Sequence, residues 1–326
     1  MNKFNKKAIT LMLKMVGTNC NMQCHYCYEL HNSNDVNVKS HLSEEKIESF
    51  LKSISDMSYI SVIFHGGEPL LAAKKAVKRI TEMLEEIFPN KYEIHFQSNG
   101  TLIDDEWIDI FSNLKCKTIV SISLDPIGEK DLRKSSTFNY RSAVYTSIKK
   151  LQKTTLNVGI VSVAHKYNVS YFNEFIEELI QYGIKFLTIN KYRDMNITDD
   201  AFITEKEYNN ALMSIAKYWI SKRLFYKIHI QPLMSLISNG KNKLCLYLAD
   251  NYKCSNFVTL YSDRIMLCDH LAGDIPKVDI KCKNCDIYEW CGSGCLAEPK
   301  DETFCSSRRS LKEFIKVIKN ENTKSD

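Results

Sequence analysis

The stretch Cys20-Asn21-Met22-Gln23-Cys24-His25-Tyr26-Cys27 places three thiols within eight residues of a chain of 326 residues. Thiols spaced this closely predict ligands of one metal centre rather than three separate structural roles. Iron–sulfur clusters are held by cysteine thiolates, and a four-iron cluster needs four ligands. No further cysteine follows within eighty residues, so the stretch predicts a cluster with one iron open to a ligand that is not protein. A zinc site is the alternative.

Charge and cysteine content limit the class of protein. The chain carries 44 basic and 39 acidic residues, a net charge of +5, and this near balance argues against a dedicated nucleic-acid binder. Its start lacks the features of a signal peptide, and no apolar run reaches the ~18 to 20 residues of a membrane span. Twelve cysteines without a secretion signal are typical of a reducing compartment. We therefore expect a cytoplasmic protein with no nucleic-acid or membrane partner.

Strand patterns and helix patterns alternate through the first two thirds of the chain. Each strand-like run is followed by an amphipathic helical pattern, and the six runs end near Met15, Phe64, Gln97, Leu124, Val163 and Lys191. Six such units predict an α/β fold with a parallel sheet and right-handed crossovers. In a parallel barrel the chemistry lies on the loops at the carboxyl ends of the strands. The cysteine stretch occupies the first of these loops.

Three further loops at the same predicted edge are polar or glycine-rich. Gly66-Gly67-Glu68-Pro69 follows the second strand, where glycines let the backbone approach a ligand and Glu68 offers a carboxylate. Gln97–Thr101 ends the third strand and Ser123–Asp125 ends the fourth. An ordinary turn is the alternative for the glycine stretch.

The last quarter of the chain is rich in cysteine. Eight cysteines fall within the 61 residues from Cys245 to Cys305, a segment too poor in apolar runs to build a core of its own. Eight thiols suffice for two fully ligated four-iron clusters, and a pair of zinc sites is the alternative. We predict a barrel over residues 1–195, a bridging helical segment over 196–235 and a metal-stapled domain over 236–326.

The CxxxCxxC spacing, with Tyr26 before the last cysteine, resembles the signature of the radical S-adenosylmethionine (SAM) superfamily. The resemblance implies a partial six-stranded (β/α)6 TIM-like barrel and a [4Fe-4S] cluster on Cys20, Cys24 and Cys27. The open iron would bind SAM, whose cleavage yields a 5′-deoxyadenosyl radical. Positions that match the family's cofactor-binding motifs are Tyr26, Gly66, Gly67, Glu68, Pro69, Ser98, Asn99, Ser123 and Arg133.

The cysteine-rich end resembles the SPASM extension of radical enzymes that modify peptides, which implies two auxiliary [4Fe-4S] clusters and three clusters in all. Two features depart from that pattern, because Asp263 replaces a usual glycine and the last gap is short. Asp269 resembles the aspartate that takes a substrate proton in anaerobic sulfatase-maturating relatives, and it is the candidate catalytic base. Carried over by position, the first auxiliary cluster is held by Cys245, Cys254, Cys268 and Cys295, and the second by Cys282, Cys285, Cys291 and Cys305.

These resemblances imply an enzyme that oxidises a residue of a ribosomally made peptide or protein, forming a crosslink, a thioether or formylglycine. An electron donor such as flavodoxin or ferredoxin is the expected partner. A small-molecule radical oxidase and a peptide epimerase are alternatives, and a non-catalytic iron–sulfur electron carrier is an alternative of another class. Only nineteen residues precede Cys20, so a leader peptide, if one is used, is expected to be bound by a separate protein.

Overall fold

The computed structural model describes residues 8–31, 41–193, 199–239, 254, 256–268, 270 and 275–322. The chain divides into two compact units. The first unit comprises Met1–Leu124, Leu132–Gly159 and Tyr252–Ile275, and the second comprises Asp125–Asp131, Ile160–Asn251 and Pro276–Asp326. The domain boundaries expected after residues 195 and 235 stay predictions.

Strands and helices alternate along the chain, with short 3-10 turns at Pro69–Leu71, Val169–Tyr171 and Leu224–Tyr226. In chain order the elements are β1 (Ile9–Lys14), α1 (Tyr28–His31), α2 (Glu44–Ser53), β2 (Ile60–His65), α3 (Lys74–Ile87), β3 (Tyr92–Ser98), α4 (Asp105–Ser112), β4 (Lys117–Ser123), α5 (Tyr140–Leu151), β5 (Asn157–Ala164), α6 (Phe172–Gln181), β6 (Phe186–Lys191), α7 (Glu205–Ser221), β7 (His229–Gln231), α8 (Leu233–Asn239), β8 (Phe257–Leu260), β9 (Ile265–Met266), α9 (Ile280–Lys283), α10 (Tyr288–Cys291) and α11 (Phe304–Asn322).

The sheet of the first unit has the strand order β4-β3-β2-β1-β8-β9. Strands β1 to β4 and β8 are parallel, and β9 runs antiparallel to β8. The register sets Lys14, the last residue of β1, beside His65, the last residue of β2. Because the strands are parallel, their carboxyl ends lie at one edge of the sheet. The cysteine stretch and the loops after β2, β3 and β4 therefore begin at the same edge.

Alternating burial explains why the strands form here. In β3, Tyr92, Ile94 and Phe96 are buried while the intervening side chains are half-buried, a period of two that fits a strand with one fully packed face. Phe96 stacks on Phe64 with ring centroids 4.7 Å apart. Helix starts follow capping chemistry, and Ser43 accepts the backbone N–H of Lys46 over 3.2 Å at the start of α2.

In the second unit β5, β6 and β7 are parallel neighbours in the order β7-β6-β5. Helix α7 begins with a capping box, in which Thr204 accepts the N–H of Glu207 and the Glu207 carboxylate accepts the N–H of Thr204. Helix α11 packs against α7 through the Asn209 amide, which donates to Ser307 Oγ over 3.0 Å, and through the buried ion pair between Arg308 and Glu205.

The six predicted strand–helix units are confirmed as β1 to β6 with the helices that follow them, and so is the α/β fold class. The sequence interpretation missed β7, β8 and α11. The buried residues Leu311, Ile315 and Ile318 of α11 recur at helical spacing. This pattern was overlooked because the region was interpreted from its cysteines as a metal-stapled domain. Within the described residues, no helix combines the length and apolar character needed to cross a membrane.

Candidate active site

The three cysteines of the N-terminal stretch lie half-buried in the loop after β1. A second segment fixes this loop in place. The backbone N–H of Gln23 donates to the carbonyl of Lys134 over 2.8 Å, and the N–H of His25 donates to the carbonyl of Leu132 over 2.8 Å. Residues 132–134 thus run beside the cysteines as a short ladder, which brings Arg133 to the site.

The glycine turn after β2 lies against the start of the cysteine loop. The N–H of Gly67 donates to the Gly17 carbonyl and the N–H of Glu68 donates to the Asn19 carbonyl, both over 2.8 Å. A Cβ added at Gly67 would lie 2.0 Å from the Asn19 oxygen, far inside contact distance. In the structure the glycines permit close approach by the cysteine loop, and their predicted approach to a ligand stays a prediction.

Glu68 connects this turn to the end of β3. Its carboxylate, fully buried, accepts the N–H of Leu70 over 3.0 Å, the Ser98 hydroxyl over 2.8 Å and the N–H of Asn99 over 2.7 Å. Burial raises the pKa of the Glu68 carboxyl, and the hydrogen bonds from Asn99, Leu70 and Ser98 act in the opposite direction. Pro69 begins the 3-10 turn that follows and is buried.

Arg133 is buried and joins the aromatic residue of the cysteine stretch. Its Nη1 donates to the Tyr26 hydroxyl over 2.9 Å. The positive charge of the guanidinium lowers the pKa of the Glu68 carboxyl and so opposes the effect of burial. The sequence placed Arg133 here by resemblance alone, and the ladder at residues 132–134 is the structural cause. Ser123, at the end of β4, accepts a hydrogen bond from Gln97 Nε2 over 3.1 Å.

The Cys20 sulfur is held by N–H donors. The N–H of Met22 lies 3.3 Å from Cys20 Sγ, and the side-chain amide of Asn99 lies 3.7 Å from it. Burial raises the pKa of the Cys20 thiol to about 11, while these two donors lower it. Such donors favour the anionic form of sulfur, and thiolate is the form that binds metals.

A buried polar cluster that was not predicted from the sequence lies beside the cysteine loop. Lys14 is fully buried and pairs with the Glu29 carboxylate. Its ammonium also donates to the Tyr28 hydroxyl over 3.1 Å and lies 3.2 Å from His65 Nδ1. The signal was present in the sequence, because a lysine near the end of an otherwise apolar strand is rarely buried without a charged partner.

The four cysteines assigned to the second auxiliary cluster all belong to the second unit, and shared interactions connect them to one another. Arg309 Nη2 donates to Cys285 Sγ over 3.4 Å, and its charge interacts with Cys305 as well. Burial raises the pKa of the Cys291 thiol, with Arg308 lowering it and Cys305 raising it. Cys282 begins the turn that ends at Cys285, whose N–H donates to the Cys282 carbonyl over 3.0 Å.

The remaining predicted residues are described only in part. Cys245 and Asp269 lie outside the described residues. Cys254 and Cys268 belong to the first unit and Cys295 to the second. The N–H of His270 donates to Cys268 Sγ over 3.4 Å. None of the eleven cysteines in the described ranges forms a disulfide, so their thiols remain available as ligands.

These residues fit the groups that the sequence predicts. Cys20, Cys24 and Cys27 form no disulfide, and two N–H donors point at the sulfur of Cys20, as hydrogen-bond donors around metal ligands commonly do. Arg133 brings a buried cation to the same loop, which suits the carboxylate of an amino-acid ligand.

Comparison with known proteins agrees with this chemistry. The chain is similar over 94% of its length to the cysteine-type anaerobic sulfatase-maturating enzyme of Clostridium novyi (strain NT), with 22% identity over 94% of that protein. It is also 24% identical to the serine-type enzyme of Bacteroides thetaiotaomicron, over 89% of this chain and 83% of that one.

Two solved structures have the same fold. Native anSMEcpe with bound AdoMet and Cp18Cys peptide matches 96% of this chain and 99% of its own at 21% identity, with a TM-score of 0.79. Streptococcus suis SuiB bound to S-adenosylmethionine matches 92% of this chain and 77% of its own at 15% identity, with a TM-score of 0.63. The model of the Radical SAM superfamily matches residues 15–184. Since that range exceeds half of the chain and includes the cysteine loop, the glycine turn and Arg133, the chain belongs to the radical SAM superfamily.

Proposed function

We propose that this chain is a radical SAM enzyme that oxidises a residue of a peptide or protein substrate. The observation that carries the proposal is its similarity, over nearly the full length of both chains, to enzymes that mature sulfatases. Similar solved structures are described with bound peptides. A non-catalytic electron carrier is disfavoured, because three thiols leave one iron of a four-iron cluster without a protein ligand and the chain is similar over most of its length to enzymes.

In this proposal Cys20, Cys24 and Cys27 ligate a [4Fe-4S] cluster, and SAM binds its open iron. When bound, this group supplies a 5′-deoxyadenosyl radical that removes a hydrogen atom from the substrate. Arg133 orients the cofactor carboxylate and is itself held by the Tyr26 hydroxyl. Glu68 holds Ser98 and Asn99 in register with the glycine turn, so its carboxylate serves the geometry of the pocket. Ser123 completes the predicted rim.

Two auxiliary clusters on the eight C-terminal cysteines complete the proposal, and three clusters correspond to about twelve irons per chain. The radical left on the substrate must lose one electron and one proton for a two-electron oxidation. Clusters held by these cysteines would supply an acceptor for the electron. Asp269 is the proposed acceptor of the proton.

Oxidation is favoured over epimerisation by the position of the one cysteine without an assigned cluster. An epimerase must return a hydrogen atom to the substrate radical, commonly from a thiol. Cys116 directly precedes β4, at the end of the strand away from the cysteine loop. Half-buried there, it lies near the Thr118 hydroxyl, 3.9 Å from its sulfur. This thiol is poorly placed to act as a hydrogen donor at the active edge.

Several partners belong to the same proposal. A flavodoxin or ferredoxin would reduce the cluster, and a separate protein would bind a leader peptide if the substrate carries one. The twelve cysteines favour a reducing compartment such as the cytoplasm. We also propose domain boundaries after residues 195 and 235.

Mass spectrometry of a product peptide tests the function. Reduced, anaerobically reconstituted protein is incubated in deuterated buffer with SAM and with cysteine- and serine-containing sulfatase peptides as probes. A two-electron oxidation product, absent with the Cys20→Ala/Cys24→Ala/Cys27→Ala variant, is expected. An unchanged formula with one solvent deuterium on an α-carbon would establish epimerisation and contradict the proposal.

A further inference from the structure

A closed ring of side-chain hydrogen bonds lies beside the sulfur of Cys20. Asn99 Nδ2 lies 2.7 Å from Asn21 Oδ1 and 3.7 Å from Cys20 Sγ. Asn21 Nδ2 donates to Thr101 Oγ1 over 2.8 Å. The Thr101 hydroxyl closes the ring by donating to Asn99 Oδ1 over 2.7 Å. Three side chains thus form a ring that is attached to one thiol.

The direction of every bond in this ring follows from a single backbone group. The N–H of Thr101 can only donate, and it lies 2.9 Å from the Asn99 side chain. The atom it meets must therefore be the amide oxygen of Asn99. The NH₂ group of Asn99 consequently faces the other way, and its two hydrogens meet Asn21 Oδ1 and Cys20 Sγ.

The backbone of Asn99 is fixed as firmly as its side chain. Its N–H donates to the buried Glu68 carboxylate over 2.7 Å. Asn99 itself is buried, at the first position after β3. A donor held from both sides cannot turn away from the sulfur without breaking several buried hydrogen bonds. The geometry therefore directs one N–H dipole of Asn99 at the sulfur of Cys20.

Hydrogen bonds to cluster sulfurs are among the factors that set the reduction potential of an iron–sulfur centre. Reduction adds negative charge to the iron and its sulfur ligands. An N–H donor stabilises that added charge, so the reduced state is favoured and the potential rises. The N–H of Met22 supplies one such donor to Cys20, and Asn99 supplies one that a substitution can remove.

We propose that Asn99 is a positioning residue of the iron centre, whose amide, oriented by Thr101 and Asn21, raises the reduction potential of the cluster that Cys20 ligates. The inference rests on the proposed ligation of iron by Cys20. It changes the role expected for Asn99 from a direct contact with SAM to a contact with the cysteine that holds the cluster.

The test is a redox titration of the reconstituted protein followed by electron paramagnetic resonance. The relevant signal is the one that changes on addition of SAM and is absent from the Cys20→Ala/Cys24→Ala/Cys27→Ala variant. Asn99→Ala is expected to shift its midpoint potential to a more negative value, with iron content retained. Thr101→Val, which removes the group that orients the amide, is expected to produce a smaller shift of the same sign. Asn113→Ala is the matched control, because the exposed Asn113 side-chain amide donates to the Asp109 carbonyl at the C-terminal end of α4.

Different results would contradict the role of Asn99 and the ligation of iron by Cys20. If the signal is present and the potential of both Asn99→Ala and Thr101→Val equals that of the Asn113→Ala control, the role of Asn99 is contradicted while iron ligation stands. A loss of SAM affinity without a change of potential contradicts it equally, since it would return Asn99 to the cofactor. A parent protein without the SAM-responsive signal contradicts the iron ligation itself, and this inference with it.

Discussion

The Lys14 ammonium and the Glu29 carboxylate form an ion pair at the carboxyl end of β1, with the two side chains 0% and 3% exposed. Glu29 lies two residues after Cys27, and the same ammonium contacts the Tyr28 hydroxyl and His65 Nδ1. One buried cation thus joins the end of the cysteine loop to the last residue of β2.

Replacing Lys14 by methionine leaves the Glu29 carboxylate buried without its cation, and removing one partner of such a pair costs about 3–5 kcal/mol. We expect the free energy of unfolding of Lys14→Met to fall by that order in anaerobic denaturant titrations. Lys14→Met/Glu29→Gln should recover much of the loss. Lys52→Met, which removes an exposed pair with Glu48, should change little. A Lys14→Met protein as stable as the parent would show that the pair contributes nothing.

Gly67→Ala should disrupt the cysteine loop, because the added Cβ would lie 2.0 Å from the Asn19 oxygen. The reconstituted variant is expected to lose the irons assigned to the N-terminal thiols, about four by the ligand count. Gly128→Ala is the control, since its Cβ would meet the Tyr167 oxygen at 1.9 Å, a comparable clash in the second unit. Equal iron loss in the two variants would mean that general misfolding, and not the loop, is responsible.

Arg133→Lys should weaken SAM binding while leaving iron content unchanged. Lysine keeps the charge but loses the planar fork that reaches the Tyr26 hydroxyl and a carboxylate together. The KM for SAM is expected to rise by about tenfold, the effect of losing ~1.4 kcal/mol. Arg141→Lys provides a matched change, because Arg141 donates to the Tyr145 hydroxyl over 3.0 Å on α5. Identical KM values for these two variants and the parent would remove Arg133 from the site.

His95 should make stability depend on pH. Its ring lies 2.7 Å from the Ser121 hydroxyl, and burial lowers the pKa of His95 below 6.5, with Glu93 opposing that shift. As pH falls through about 6.5, the unfolded chain binds a proton that the folded protein resists, so the free energy of unfolding decreases. Comparing parent and His95→Gln between about pH 7.5 and pH 5.5 should show a steeper loss for the parent. Parallel curves would contradict the shift.

Sequence patterns predicted the parts of the site that depend on local order. The cysteine spacing, the glycine turn after β2 and the polar ends of β3 and β4 were all recognised in the correct elements. Parallel strands bring these loops to one edge, so their proximity followed from the alternation of strands and helices. The ladder that delivers Arg133 could not be predicted, because it joins backbone groups of residues 23–25 and 132–134 that have no side-chain signature.

The hydrogen-bond partners of individual polar groups could not be predicted from the sequence either, because they join segments that are far apart in the chain. Asn99 and Cys20 are 79 residues apart, and their distance depends on the pairing of β1, β2 and β3 and on the contacts of the cysteine loop with other segments. The glycine turn was recognised from the sequence, but the close approach of the Asn19 carbonyl to Gly67 was not, because no local pattern encodes it. Lys14 was visible as an interruption of an apolar strand, but its partner Glu29 lies beyond the cysteines in a short helix that local propensity does not predict.

The most direct test of the proposed catalytic cluster is SAM cleavage by the reduced protein. Anaerobically reconstituted parent and the Cys20→Ala/Cys24→Ala/Cys27→Ala variant are reduced with dithionite, incubated with SAM and analysed for 5′-deoxyadenosine by liquid chromatography. We expect time-dependent formation of 5′-deoxyadenosine by the parent and none above the protein-free background by the variant. Equal formation by the two proteins would show that the N-terminal thiols do not hold the catalytic cluster.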